Sequence, residues 1–269
     1  HGLLSQPIGD LDLEGMPVVV ADLHSSLPAV LAGLRSPSGE EQPRVVYIMT
    51  DGGALPLAYS RVVASLSQAG WLSGTITAGQ AWGGDIEAVS VHNALLAARH
   101  VLHADAAIVI QGPGNLGTET PWGFSGVACG DAINAIATLG GHPVACLRVS
   151  QADARARHRG VSHHSMTAYG RVALAGADVV VPDLKGPLGA QVRQEAESLC
   201  GPRPGAGQHR LVEVPADELL ELLRAAEVET GVRLSTMRRG LDEDAAAFIA
   251  AAAAGRHARR ILDTETEHG

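Results

Sequence analysis

Six largely apolar runs punctuate this chain, most of them continuous rather than alternating with polar residues. They cover Met16–Ala21, Arg44–Met49, Trp71–Thr77, Ala106–Ile110, Pro143–Val149 and Asp178–Pro182. A strand apolar at every position is buried on both faces, the condition of a strand inside a parallel sheet. Between the runs, apolar residues recur at helical spacing over about 27–34, 57–69, 88–102, 133–139 and 166–175. Strand and helix in alternation predict βαβ units with right-handed crossovers. The expected fold is α/β: a doubly wound, mostly parallel sheet with helices on both faces, a Rossmann-like three-layer arrangement. Strand order does not follow from the pattern.

Beyond Lys185 the pattern loosens. Gly201–Gly207 reads as a turn-rich loop, Leu211–Val214 as a last strand, and Asp217–Ala226 as a helix with Asp217 its cap. The alanine run Ala245–Ala254 is a strong helix former, with Gly255 placed to end it and a tail from Asp263 expected to fray. The whole chain, 1–269, then reads as a single α/β domain. Its core spans about 15–184 and a strand and helix extension about 185–262.

Composition narrows the class. Aromatics are only 3%, so Val, Ala, Leu and Ile must build the core. A net charge of −9 argues against nucleic acid as a partner, because phosphate contacts need clustered cations. No apolar run approaches the ~20 residues of a membrane span. Cys129, Cys146 and Cys200 are widely spaced and unpaired in pattern, and Cys129 and Cys146 read as reduced core residues. The start His1-Gly2-Leu3 is not an intact signal peptide and fits a processed piece. A cytoplasmic protein is expected, with its oligomeric state open to a homo-oligomer.

Polar residues collect where the strands end. In open parallel sheets, ligands bind outside the carboxyl ends of the strands, so the loops there are the informative ones. They carry Asp22-Leu23-His24-Ser25-Ser26, Thr50-Asp51-Gly52-Gly53, Ala78-Gly79-Gln80-Ala81-Trp82-Gly83-Gly84-Asp85, a glycine-rich turn from Gln111 to Thr120, and Arg148-Val149-Ser150 followed by His158-Arg159-Gly160-Val161-Ser162-His163-His164-Ser165. The connections entering the strands are short and plain. This asymmetry points to a site for a small anionic ligand.

Gly112, Gly114 and Gly117 match G-x-G-x-x-G after a strand, a pattern that lets backbone N–H groups approach phosphate oxygens. Pro121 and Gly123 delay the helix, and Arg148 stands where a ribose-binding acid belongs, which disfavours a nicotinamide nucleotide. An anion-binding turn of another design is preferred, formed with Gly52, Gly53, Asn115 and Thr118 and neutralised by Arg148 and Arg159. His24, Asp51, His163 and His164 are the candidate catalytic residues. A divalent metal, if one binds, would take His24, Asp51, His158 and His163, since imidazole and carboxylate suit Zn, Mn or Fe. The same histidines also read as caps and surface residues, and Ser165 reads first as a helix N-cap. Neither G-x-S-x-G nor a P-loop occurs, which sets aside the familiar serine hydrolase and P-loop chemistries.

Four separated segments carry a resemblance: Met49-Thr50-Asp51-Gly52-Gly53-Ala54-Leu55-Pro56, Gln111-Gly112-Pro113-Gly114-Asn115-Leu116-Gly117-Thr118, Gly123-Phe124-Ser125-Gly126, and His158 to Ser165. From about Gly15 to Leu184 the chain resembles an uncharacterised, largely actinobacterial family, domain-of-unknown-function family 3866. The resemblance implies an additional small N-terminal β-rich region and brings no reaction, cofactor or catalytic residue. The family commonly has Gly where this chain has Glu119, a charge that would oppose a phosphate.

Two functions stay open. One is an enzyme acting on a small anionic metabolite, phosphorylated or nucleotide-like, with His/Asp acid–base or metal-assisted chemistry. The other is a non-catalytic metabolite sensor or scaffold using the same crevice.

Overall fold

A computed structural model describes residues 2, 11–35 and 41–266, with side chains to 264. The first half of the chain folds into β1 (Pro17–Ala21), α1 (Leu27–Leu34), β2 (Val45–Thr50), α2 (Arg61–Gln68), β3 (Gly74–Ala78), β4 (Ile86–Ala88), α3 (Val91–His100), β5 (Ala106–Gln111) and α4 (Ala128–Thr138). There follow β6 (His142–Cys146), a two-residue hairpin pair β7 (Val149–Ser150) and β8 (Gly160–Val161), α5 (His163–Thr167), β9 (Asp178–Asp183) and α6 (Gly186–Leu199). The chain closes with β10 (Arg210–Pro215), α7 (Leu219–Thr230), a second small hairpin β11 (Ser235–Thr236) and β12 (Arg239–Gly240), and α8 (Ala245–Thr266).

Eight strands form one sheet in the order β10-β9-β6-β1-β5-β2-β3-β4, every neighbouring pair parallel. Period-two alternation divides each strand between two cores. Val19, Tyr47, Met49 and Ile108 face α1, α2, α7 and α8, while Val18, Val20, Ile48 and Val109 face α3, α4, α5 and α6. This is the doubly wound, three-layer fold expected from the apolar runs. No helix among the described residues is long and apolar enough to cross a membrane. Cys129 and Cys146 are free and buried, as their apolar surroundings indicated.

Strand order fixes where a site can form. The chain leaves β1 toward the α1 face, whereas β5 and β6, which flank β1, lead to α4 and α5 on the opposite face. Loops that diverge from adjacent parallel strands open a crevice at their carboxyl ends.

Several local expectations need correction. Gly255 does not end a helix: α8 runs through it to Thr266. A Cβ on Gly255 would sit well inside 3.0 Å of the Val30 carbonyl oxygen, and one on Gly33 equally close to that of Ala252. The two glycines let α1 and α8 cross backbone to backbone, and that contact outweighs the helix-breaking tendency of glycine. Asp217 does not cap α7, which starts after Glu218 without a side-chain cap. Helix α6 and strand β4 escaped the sequence pattern because α6 is largely polar and β4 has three residues. Ser162, not Ser165, caps α5 by accepting the His164 N–H, so the helix starts three residues before the expected Met166.

Candidate functional site

Two polar centres meet over the carboxyl end of β1. The first is an open groove of about 270 Å³ on the α1 side, bounded by Leu23–Ser25 after β1, Gly112–Asn115 after β5, Arg233 just before the C-terminal hairpin, and Thr236 and Met237 within it. The sequence-derived turn residues Gly112, Gly114 and Asn115 thus share a wall with His24.

His24 is held on both ring nitrogens. Its Nδ1 lies 3.0 Å from the Tyr47 hydroxyl and its Nε2 2.7 Å from Ser60 Oγ. Tyr47 donates its own proton to the Ile110 carbonyl at 3.2 Å. That leaves His24 Nδ1–H to donate to Tyr47 and Nε2 to accept from Ser60, whose Oγ also caps α2 by accepting the Val63 N–H. Burial pushes His24 down to about 4, so its imidazole is neutral at neutral pH.

The second centre lies on the α4–α5 side. Asp22 and Arg148 form a buried ion pair, Nη1 to Oδ2 3.4 Å, with side chains 8% and 9% exposed. His164 Nδ1 is 3.4 Å from the same carboxylate oxygen and 3.2 Å from Arg148 Nη1. Burial alone would raise the Asp22 carboxyl, but Arg148 and His164 outweigh it and hold Asp22 below the usual carboxylate range. Phe124 stacks flat on His164, ring centroids 3.8 Å apart. Loop 115–125 places it there: Thr118 N–H bonds the Gly123 carbonyl, and Ser125 Oγ donates to Asn115 Oδ1. Thr118 and Gly117 therefore shape this loop and stand exposed.

His158 and His163 complete a cluster with His164. His158 Nδ1 lies 2.7 Å from Ser162 Oγ. Burial, helped by the nearby Arg148 and Arg155, pushes His158 down to about 3, and burial with the neighbouring His164 and Arg157 also lowers His163.

Gln111 joins the two centres. Its Nε2 donates to the Asp22 carbonyl at 2.5 Å, and its buried Oε1 has no partner. A small cavity beneath it, lined by Val20, Ser125, Gly126 and Cys129, marks the crevice between β1 and β5. An unpartnered buried acceptor costs ~1–3 kcal/mol, so a donor from a ligand would be favourable there.

Other expected site residues are placed differently. Asp51 is exposed and accepts the Ala54 N–H at 3.2 Å, a local turn contact. Gly52 packs against Gln111, and a Cβ on Gly53 would lie 2.6 Å from the Gly114 carbonyl, so these glycines serve the close approach of two loops. Arg159 turns away to donate to the Asp153 carbonyl at 2.8 Å, and Arg148 is committed to Asp22. His24 and Asp51 belong to no group with His158 and His163 close enough to share an ion; His164 takes their place. The chain separates them because α1 and α5 lie on opposite faces of the sheet. Glu119, 91% exposed, stands 4.0 Å from Arg157 beside the histidine cluster.

The sequence reading assigns no site role to Asp22, Tyr47, Ser60, Gln111, Arg157 or Arg233, although Asp22 and Gln111 stand in the loops it singles out. Tyr47 was the most accessible signal, a hydroxyl inside an otherwise apolar strand that must find a buried partner. Arg233 carried none, lying in the loosely patterned extension.

Acid is expected to weaken the fold in a defined window. The unfolded chain takes up protons on histidine near pH 6.5, while folded His24 refuses them until about pH 4. The His24 contribution is therefore full above pH 6.5 and falls by about 3 kcal/mol as pH drops to 4, and His158, pushed down to about 3, adds a loss of the same sign in the same window. The Asp22 contribution persists through this window, being complete above about pH 4 and lost as pH falls through its depressed folded value. Urea midpoints from pH 8 to 4 measure the fall, and His24→Gln should make it shallower while the His158 contribution remains.

No curated protein and no solved structure matches the sequence. The family model described as protein of unknown function (DUF3866) matches residues 7–255, and the chain belongs to that family.

Proposed function

We propose that the protein is an enzyme acting on a small anionic metabolite bound in the groove over β1 and β5. The observation that carries this reading is convergence at the crevice: the β1 loop, the β5 turn and an exposed guanidinium, Arg233, border one opening beside a neutral histidine. A groove of about 270 Å³ suits a small metabolite rather than a drug-sized or polymeric ligand. Arg233 would neutralise the anion, and the exposed backbone at Gly114 would lie against it. His24 borders the groove and would act on the ligand by exchanging its Ser60 or Tyr47 hydrogen bond for one to the bound molecule.

The test is thermal shift in chelator-containing buffer against phosphate, nucleoside monophosphates and small di- and tricarboxylates. A stabilising anion whose effect disappears in Arg233→Ala supports the groove, and turnover lost in His24→Gln supports catalysis. Stabilisation with no turnover in the parent chain would leave the sensor or scaffold reading. Binding unchanged in Arg233→Ala would place the ligand elsewhere.

A further inference from the structure

We propose that His158, His163 and His164 form a divalent transition-metal site, best suited to zinc. It stands apart from the groove reading, since an anion could bind near Arg233 with or without a metal.

The three imidazoles each offer a nitrogen, and these nitrogens all lie within 4.8 Å of one another. Their ring centroids are 4.9, 5.0 and 4.5 Å apart. A zinc ion roughly 2.1 Å from three imidazole nitrogens requires centroids about 5 Å apart. It also requires nitrogens about 3.4 Å apart, so side-chain rotation of under about 1 Å per ring would close the site. His163 Nε2 is buried and has no partner among the described residues, an orphan lone pair or proton that a protein avoids unless something engages it.

Two of the rings are already oriented from behind. Ser162 Oγ lies at hydrogen-bond distance from His158 Nδ1, and Asp22 Oδ2 is 3.4 Å from His164 Nδ1, with its ion-pair partner Arg148 Nη1 3.2 Å from the same nitrogen. A carboxylate or hydroxyl behind a ligating imidazole fixes its tautomer and raises its basicity, the usual outer layer of a zinc site. Phe124 clamps the His164 ring plane from the other side.

Charge does not forbid the ion. The imidazoles of His158 and His163 are held neutral, the form that ligates. Of the arginines nearby, Arg148 is paired with Asp22 and Arg155 with Asp153, through both nitrogens of its fork. Arg157 remains, with Glu119 4.0 Å away. Three protein ligands leave a fourth position for solvent or an anion, the pattern of catalytic rather than structural zinc, and Arg157 would favour an anion there.

A rival cluster, His142, Asp178 and His257, also brings its ligand atoms within 4.8 Å. It is a poorer candidate because its atoms are spent on one another. Asp178 Oδ2 takes His142 Nε2 at 2.7 Å, His257 Nε2 at 2.6 Å and the Arg210 guanidinium. It lies at the opposite, amino-terminal rim of the sheet, tying α8 to β6, β9 and β10.

The test titrates the chelator-treated full chain with Zn²⁺ against a chromophoric competitor and records imidazole ¹H–¹⁵N spectra in parallel. One ion per chain is expected, with three imidazole nitrogens moving to metal-bound shifts. Affinity should fall roughly hundredfold or more in His163→Ala and about tenfold or more in Ser162→Ala, while His257→Ala should leave it unchanged. Absence of stoichiometric binding, or binding kept in His163→Ala and lost in His257→Ala, overturns the assignment. If His163→Ala fails to fold, the parent spectrum decides: unmoved His163 nitrogens at saturating zinc are equally fatal to it.

Discussion

Replacing Asp22 by alanine is expected to cost about 3–5 kcal/mol, a large share of the stability of a typical domain. The reason is asymmetry. The Asp22–Arg148 pair is shielded on both sides, 8% and 9% exposed, and such a pair adds little over an apolar substitute of equal volume. Removing one member leaves the other as an uncompensated buried charge. Here the loss also strips His164 of its carboxylate. Asp22→Asn should cost less, because the amide can still accept from Arg148. Urea unfolding at pH 7 measures both. A cost below about 1 kcal/mol for Asp22→Ala would mean that Arg148 escapes to solvent and that the centre is not a preorganised unit.

Gly255→Ala is expected to destabilise by about 3 kcal/mol, although helix propensity alone predicts a gain of ~1 kcal/mol. The added methyl would collide with the Val30 carbonyl of α1, a backbone atom that cannot rotate aside. Relief requires the two helices to separate, which opens gaps along an interface of fully buried alanines and leucines. Gly33→Ala should behave alike, its methyl meeting the Ala252 carbonyl. Their double mutant should cost less than the sum, since one separation relieves both clashes. Thermal unfolding of the three variants checks the sign. A stabilised Gly255→Ala would show that the crossing is looser than drawn.

Because α1 follows directly from the loop bearing Asp22 and His24, this crossing also positions both centres. A shift of α1 away from α8 would carry His24 off Ser60, and loss of its hydrogen bonds would accompany loss of stability. The two largest expected effects are thus connected through one short helix of eight residues.

What was legible in the sequence was whatever local pattern encodes. Continuous apolar runs at Val18–Val20, Val45–Met49 and Ala106–Ile110 specified parallel strands, because only a sheet covered on both faces tolerates them. The loops after those strands are polar and glycine-rich in the sequence itself, and Gly112, Gly114, Asn115 and His24 border one groove. His158, His163 and His164 are candidates by their own chemistry.

Grouping those residues needed the third dimension. Whether His24 meets His163 depends on the face of the sheet to which each loop departs, and that follows from a strand order set by packing among distant segments. Gly255 shows the same division at one residue. Local propensity reads it as a helix end, while a carbonyl more than 200 positions away makes it the residue without which the helices cannot touch. Periodicity is a property of neighbours along the chain and survives in one dimension; charge pairing, partnerless atoms and close crossings arise between segments, and only folding brings those together.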